Sequence, residues 1–158
     1  MNQEIPLPLT EVHFNNTTTP GPLEIKPTDR FIAWQNTAAV VIRSAWLHYF
    51  KLCFSGTMHP SNLRNFKLYI DEVCASQVIS IDDKNHIVFH LEDKPVEMKN
   101  GLRSIRVMAD ITRGEGHFTF SLAKPEDFCI LDDDNVHIIP KVGDNDFIPL
   151  TTGIVQVN

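Results

Sequence analysis

The chain has 158 residues, 42% of them hydrophobic and 22% charged, with a formal net charge of −6. That length supports one domain with its own core, needing no metal or disulfide staple merely to fold, and no apolar run approaches the roughly 20 residues of a membrane helix. An acidic balance without clustered Lys and Arg excludes a phosphate-backbone ligand, so no nucleic acid partner is expected.

Met1 opens a polar, proline-containing segment without the basic n-region and apolar h-region of a secretory signal. The segment places Ile5, Leu7 and Leu9 on one side, with Pro6 and Pro8 between them. Proline lacks the amide donor, so such an arm pairs along one edge only, never in the middle of a sheet. The expected division is an extended arm over residues 1–10 and a single β-sandwich domain over residues 11–158. Glu11 to Phe14 reads as a short strand with Val12 and Phe14 inward. The polar loop after it carries Asn15-Asn-Thr17 and Asn16-Thr-Thr18, which fit N-glycosylation acceptors.

Two strand candidates, residues 22–26 and 30–35, are parted by Pro27-Thr-Asp29. Ala38 to Phe54 is the longest run, and Val40, Ile42, Trp46, Phe50, Leu52 and Phe54 share one parity, which predicts a long strand apolar on one face. A helix is the alternative there, because Ala38, Ala39, Ala45 and Leu47 tolerate helical geometry. Leu63 to Ile70 alternates next. Strands near residues 76–81 and 86–92 are joined by the polar loop Asp82 to Asn85. Ile87/Phe89/Leu91, Ile105/Val107/Ala109/Ile111 and Phe118/Phe120/Leu122 each line one buried surface, with turns at Lys99-Asn-Gly101 and Arg113-Gly-Glu-Gly116. Phe128 to Leu131, Val136 to Val142 and Ile154 to Val157 bring the count to about ten strands. This pattern, with no βαβ alternation, predicts an all-β fold: an antiparallel β-sandwich, immunoglobulin-like or jelly-roll.

The block Leu63-Arg-Asn-Phe-Lys-Leu-Tyr-Ile-Asp71, then Ile87-Val-Phe, then Gly101-Leu-Arg-Ser-Ile-Arg-Val-Met-Ala-Asp-Ile111, then Phe118-Thr-Phe-Ser-Leu122 resembles the β-sandwich modules recurring in bacterial surface-layer and other cell-surface proteins. The resemblance implies a structural or adhesive role at the cell surface, within an assembly, and no catalytic residues. The chain departs from the pattern at Glu72, where a turn glycine is expected after Asp71, and in its cysteines.

Cys53, Cys74 and Cys129 have no C-x-x-C spacing and read as three buried free thiols, with one disulfide plus an odd thiol as the alternative. His86 and His90 would sit about 13 Å apart along a strand, too far to share one ion, and read as solvent-face histidines. Asp132, Asp133 and Asp134, with Asp144 and Asp146 beyond the next strand, are the candidate metal ligands. Carboxylates in loops suit Ca2+, although Asp and Asn are also ordinary turn residues and no EF-hand spacing is present. No other cofactor is expected. No nucleophile elbow and no phosphate loop occurs, so the chain is not expected to be an enzyme; carboxylates paired only in space, as in glycoside hydrolysis, are the remaining catalytic option. Trp34, Trp46, Tyr49 and Tyr69 offer an aromatic platform for sugar rings, with core packing as the other reading.

The expected function is therefore a non-enzymatic structural or adhesive module, extracellular or on the cell surface. It would associate with itself or with other surface proteins, Ile5, Leu7 and Leu9 adding as an edge strand to a neighbouring subunit to build filaments or layers. A carbohydrate-binding sandwich, its partner a polysaccharide, is the alternative.

Overall fold

The computed structural model describes residues 10–158; Ile5, Leu7 and Leu9 lie outside the described residues. These residues form fifteen strands and two one-turn 3-10 helices, with no α-helix among them. The strands are β1 (Glu11–Phe14), β2 (Leu23–Ile25), β3 (Phe31–Val41), β4 (Ala45–Gly56), β5 (Leu63–Ile70), β6 (Val73–Ser80), β7 (His86–His90) and β8 (Val96–Met98). They continue as β9 (Gly101–Ile111), β10 (Gly116–Leu122), β11 (Phe128–Leu131), β12 (His137–Ile138), β13 (Lys141–Val142), β14 (Leu150–Thr151) and β15 (Val155–Val157).

One sheet runs β13-β1-β3-β9-β5-β6, and the other β12-β11-β4-β10-β15-β2, with β14 on β10. Cys53 of β4 pairs with Ser121 on one side and His86 on the other, so β7, and β8 beyond it, occupy the second edge of β4. All ladders are antiparallel except β1 with β13 and β15 with β2. The sandwich is thus antiparallel in its body and parallel at two short edges.

Alternation buries what the period predicts. Ile87, Phe89, Ile105, Val107, Phe118, Phe120 and Leu122 are all fully buried. Aromatic rings join the two sheets: Phe14 meets Phe128 at 4.9 Å between centroids, Trp34 meets Phe50 at 5.4 Å, and Phe66 meets Phe120 at 5.9 Å. Each such pair contributes about 0.5–1.5 kcal/mol beyond its buried area.

Two long runs are broken. Ala38 to Phe54 is neither one strand nor a helix; β3 ends at Val41 and β4 begins at Ala45 in the other sheet. Ile42, expected inward, sits at φ 85 and is exposed. Within β4, Tyr49 lies opposite Cys129 and Leu47 opposite Ile130, leaving His48 as the extra residue of a bulge. That insertion shifts the parity: Ala45 and Leu47 face inward before it, Phe50, Leu52 and Phe54 after it. Trp46 consequently turns outward, not to the core side. Val136 to Val142 likewise splits at Pro140, with β12 in one sheet and β13 in the other. A proline cannot donate to a ladder, so the chain leaves one sheet there and joins the second.

Candidate functional site: an open edge of the sandwich

β6 is the outermost strand of its sheet, and nothing among the described residues pairs with its outer edge. Its residues are Val73-Cys-Ala-Ser-Gln-Val-Ile-Ser80. Natural sheets protect such an edge with lysine, proline, inward charge, brevity or a bulge; the eight residues of β6 have no charge and no proline, and their one interruption is a bulge at Ala75, between the Leu68–Ser76 and Tyr69–Cys74 pairs. Facing it across the mouth of the sandwich are β7 and β8, linked through Leu91 to Pro95.

Between the two edges runs a groove of about 390 Å3, lined by Ile70, Val73, Ala75, Leu91, Pro95 and Val96. Val73 pairs directly with Ile70 and so shares its face. Ile70 is 3% exposed, yet Val73 is 68% exposed. A side chain on the core-facing side that remains in water marks the point where the two layers fail to close. Asp93 and Lys94 also line the groove and offset each other's charge.

The turn from β5 to β6 fixes this edge. Asp71 and Glu72 have φ of 49 and 69, the left-handed pair of a primed two-residue hairpin, here made without glycine. Asp71 anchors it to β9: Oδ1 accepts from the Ser104 N–H at 2.9 Å, Oδ2 from Arg103 Nη1 at 3.0 Å, and its own N–H donates to the Ser104 carbonyl at 2.9 Å. Arg106 Nη2 donates to Glu72 Oε2 at 2.6 Å. On the opposite lip, the Leu91 N–H donates to the His48 carbonyl at 2.9 Å. There Glu92 has its carboxyl held below the usual range, first by its own backbone N–H and then by His90.

The residues singled out from the sequence are dispersed. Asp132 Oδ1 accepts from the N–H groups of Asp134 and Val136 at 2.8 and 3.0 Å, and Asp133 Oδ1 accepts from Trp46 Nε1 at 3.1 Å. Asp144 and Asp146 are exposed beside the Val142–Asn145 bridge. Among the described residues no three His, Cys, Asp or Glu side chains are grouped to hold a metal; of these five acids Asp132 caps its own turn and Asp133 holds Trp46.

The four aromatics share no platform. Trp34 is fully buried, its Nε1 donating to the Leu150 carbonyl at 3.0 Å. Trp46 and Tyr49 belong to β4 in one sheet and Tyr69 to β5 in the other, where the Arg106 guanidinium covers its ring. The thiols are all free but none is fully buried: Cys53 and Cys129 are half-buried, and Cys74 on β6 is exposed. Cys129 Sγ lies 3.7 Å from His137 Nδ1, yet burial pushes the Cys53 and Cys129 thiols up, opposite to an activated nucleophile.

The open edge itself escaped the sequence reading, which began that strand at residue 76. The available signal was a missing one: an eight-residue stretch before Asp82 without lysine, proline or glutamate.

No protein-family profile matches the sequence, and no curated protein matches it. A chain from the crystal structure of a type I cohesin–dockerin complex of Clostridium thermocellum is similar, at 13% identity over 94% of this chain and 99% of that one, with a TM-score of 0.33. At that score the likeness carries no inference about this chain.

Proposed function

We propose that the protein is a non-enzymatic interaction module, extracellular or on the cell surface as the surface-layer resemblance implies, that assembles by adding the arm of one copy to the open edge of another. The unpaired edge of β6, uncharged and proline-free and interrupted only by the bulge at Ala75, carries this reading together with the apolar groove beside it. An extended segment pairs its backbone with such an edge while alternate side chains fill the pockets beside it. In an extended Ile5-Pro-Leu-Pro-Leu9, the apolar residues share one face and direct their N–H and C=O groups to one side. The two prolines turn only carbonyls to the other side, where no N–H is left to donate to a ladder.

Reach decides whose arm is used. Counting through β3, β9 and β5, β1 lies four strands from β6, about 19 Å at roughly 4.8 Å per strand. Leu9 is only two residues before Glu11, a span of at most about 7 Å. The Ile5 to Leu9 stretch therefore serves a second copy, and repetition of this head-to-tail contact builds an open chain unless the rotation closes a ring.

The test uses light scattering after size exclusion, with a fluorophore on exposed Cys74 as a local reporter. The full chain should assemble as concentration rises, and a variant lacking residues 1–9 should be a folded monomer. A peptide of residues 1–10 should change the Cys74 signal of that monomer and lose this effect with Leu7→Asp, or with Val73→Lys in the domain. A full chain that stays monomeric at hundreds of micromolar, or peptide binding indifferent to Val73→Lys, would overturn the proposal.

A further inference from the structure

The outer face of the sheet containing β3, β9 and β5 carries a second concavity, of about 260 Å3, whose polar lining comes from Arg30, Asn65, Lys67, Tyr69, Glu72, Arg106 and Asp110. Two bulges create it. Ala33 is the extra residue between the Ile32–Met108 and Trp34–Val107 pairs, and β5 gains one residue between Arg64–Asp110 and Lys67–Met108. Both irregularities flank the same stretch of β9, and bulges bend a strand and re-aim its side chains.

Asp110 is fixed at the centre. Its Oδ1 accepts from the Arg30 N–H at 3.0 Å and its Oδ2 from Asn65 Nδ2 at 2.9 Å. Both donors belong to residues in the left-handed region, Arg30 at φ 57 and Asn65 at φ 58. Side chains other than glycine occupy that region at a cost that surrounding structure must offset, and such residues cluster at ligand sites. A carboxylate offers about four acceptor positions, so Asp110 retains acceptor capacity toward a ligand after these two bonds.

Arg106 is preorganised over the Tyr69 ring, 5.5 Å from its centroid, and its buried Nε has no hydrogen-bond partner among the described residues. Arg30 and Lys67 make no ion pair among the described residues, whereas Arg106 pairs with Glu72. Three cations against the carboxylates of Glu72 and Asp110 leave the groove positive on a chain of net charge −6.

We propose that this groove binds a uronic acid residue of an acidic polysaccharide. Hydroxyl groups of the sugar donate to Asp110 and accept from Asn65, while its carboxylate lies against Lys67 and Arg30. A neutral sugar would leave those cations unused. An acidic peptide would bring no hydroxyls for Asp110 and would meet its charge instead.

Affinity electrophoresis of the full chain through gels containing polygalacturonate, dextran or poly-glutamate tests the assignment. Polygalacturonate should retard the protein, while dextran and poly-glutamate should not. Lys67→Ala and Asp110→Asn should each weaken retention about tenfold, on the scale of a lost charge-assisted bond. Lys67 anchors no turn, so Lys67→Ala isolates recognition from folding if Asp110→Asn disturbs Arg30 and Asn65. Absence of retardation by polygalacturonate, equal retardation by poly-glutamate, or wild-type retention in the Lys67→Ala variant would each overturn the proposal.

Discussion

Replacing Glu72 tests whether the hairpin that presents the open edge is held in left-handed geometry. Glu72 sits at φ 69, and a left-handed conformation costs a residue with a Cβ about 1–2 kcal/mol. Glycine removes that cost but loses about 0.5–1 kcal/mol through the greater freedom of its unfolded chain, so the backbone gain is about 0.5–1 kcal/mol. The Glu72 side chain is 68% exposed in its pair with Arg106, and solvent screening limits the pair to about 0.5 kcal/mol. Glu72→Gln removes the charge and keeps the strain; Glu72→Gly removes both. Chemical denaturation should therefore place Glu72→Gln about 0.5 kcal/mol below the parent and Glu72→Gly up to about 1 kcal/mol above Glu72→Gln. In melting temperature the gap is about 2–4 °C for a domain of this size. A glycine variant no more stable than the glutamine variant would refute the hairpin geometry, and with it the Ile70–Val73 register that leaves Val73 in the open mouth.

Other consequences are open to direct measurement. The Gly143 carbonyl, and then Glu11, push the His13 pKa above its ordinary 6.5; the folded state binds that proton more tightly, so this stability is fully present below pH 6.5 and lost as pH rises through the folded value. Urea midpoints should fall between pH 6 and 8, and His13→Gln should flatten that component; an unchanged slope would remove His13 from the tie between β1 and β13. Gly56 has φ 144, and an added Cβ would press on the His117 carbonyl oxygen and lie 2.7 Å from Phe118 Cα, so Gly56→Ala should cost about 3 kcal/mol by parting β4 from β10. A maleimide at neutral pH should label Cys74 first, as burial raises the thiols of Cys53 and Cys129.

Much of the architecture was legible because it rests on a period of two. Phe118/Phe120/Leu122 and Ile105/Val107 point inward as their alternation requires. Legibility failed where one inserted residue changed the phase. His48 turned Trp46 outward and Leu47 inward, and no composition rule marks a histidine as the extra residue of a bulge. Pro140 is a readable break, but which sheet the chain joins beyond it depends on partners distant in sequence. The polar groove was illegible for the same reason: Arg30, Asn65 and Asp110 lie 35 to 80 residues apart, and only two bulged ladders bring them to one place. Glu72 was visible as a departure from a glycine turn, whereas the bonds that hold the turn come from Arg103, Ser104 and Arg106, more than 30 positions away.

An open edge without charge or proline is ordinarily a hazard, because it accepts any extended chain and each addition creates another edge. The arm proposed to fill it has the opposite property. In the proposed assembly Pro6 and Pro8 remove the donors on the side that would face the next comer, and addition is expected to stop after one strand. On the same proposal the groove would select among candidates, since its apolar lining favours apolar side chains at every second position and Asp93 and Lys94 together offer no net charge to attract others. Replacing Pro6 and Pro8 with threonine would separate these effects. The variant should keep its affinity for β6 through Ile5, Leu7 and Leu9 yet regain donors on its outer side, and its assemblies should thicken laterally into thioflavin-positive aggregates. Assemblies of unchanged width would show that the prolines are not what limits growth, and the arm would need another account.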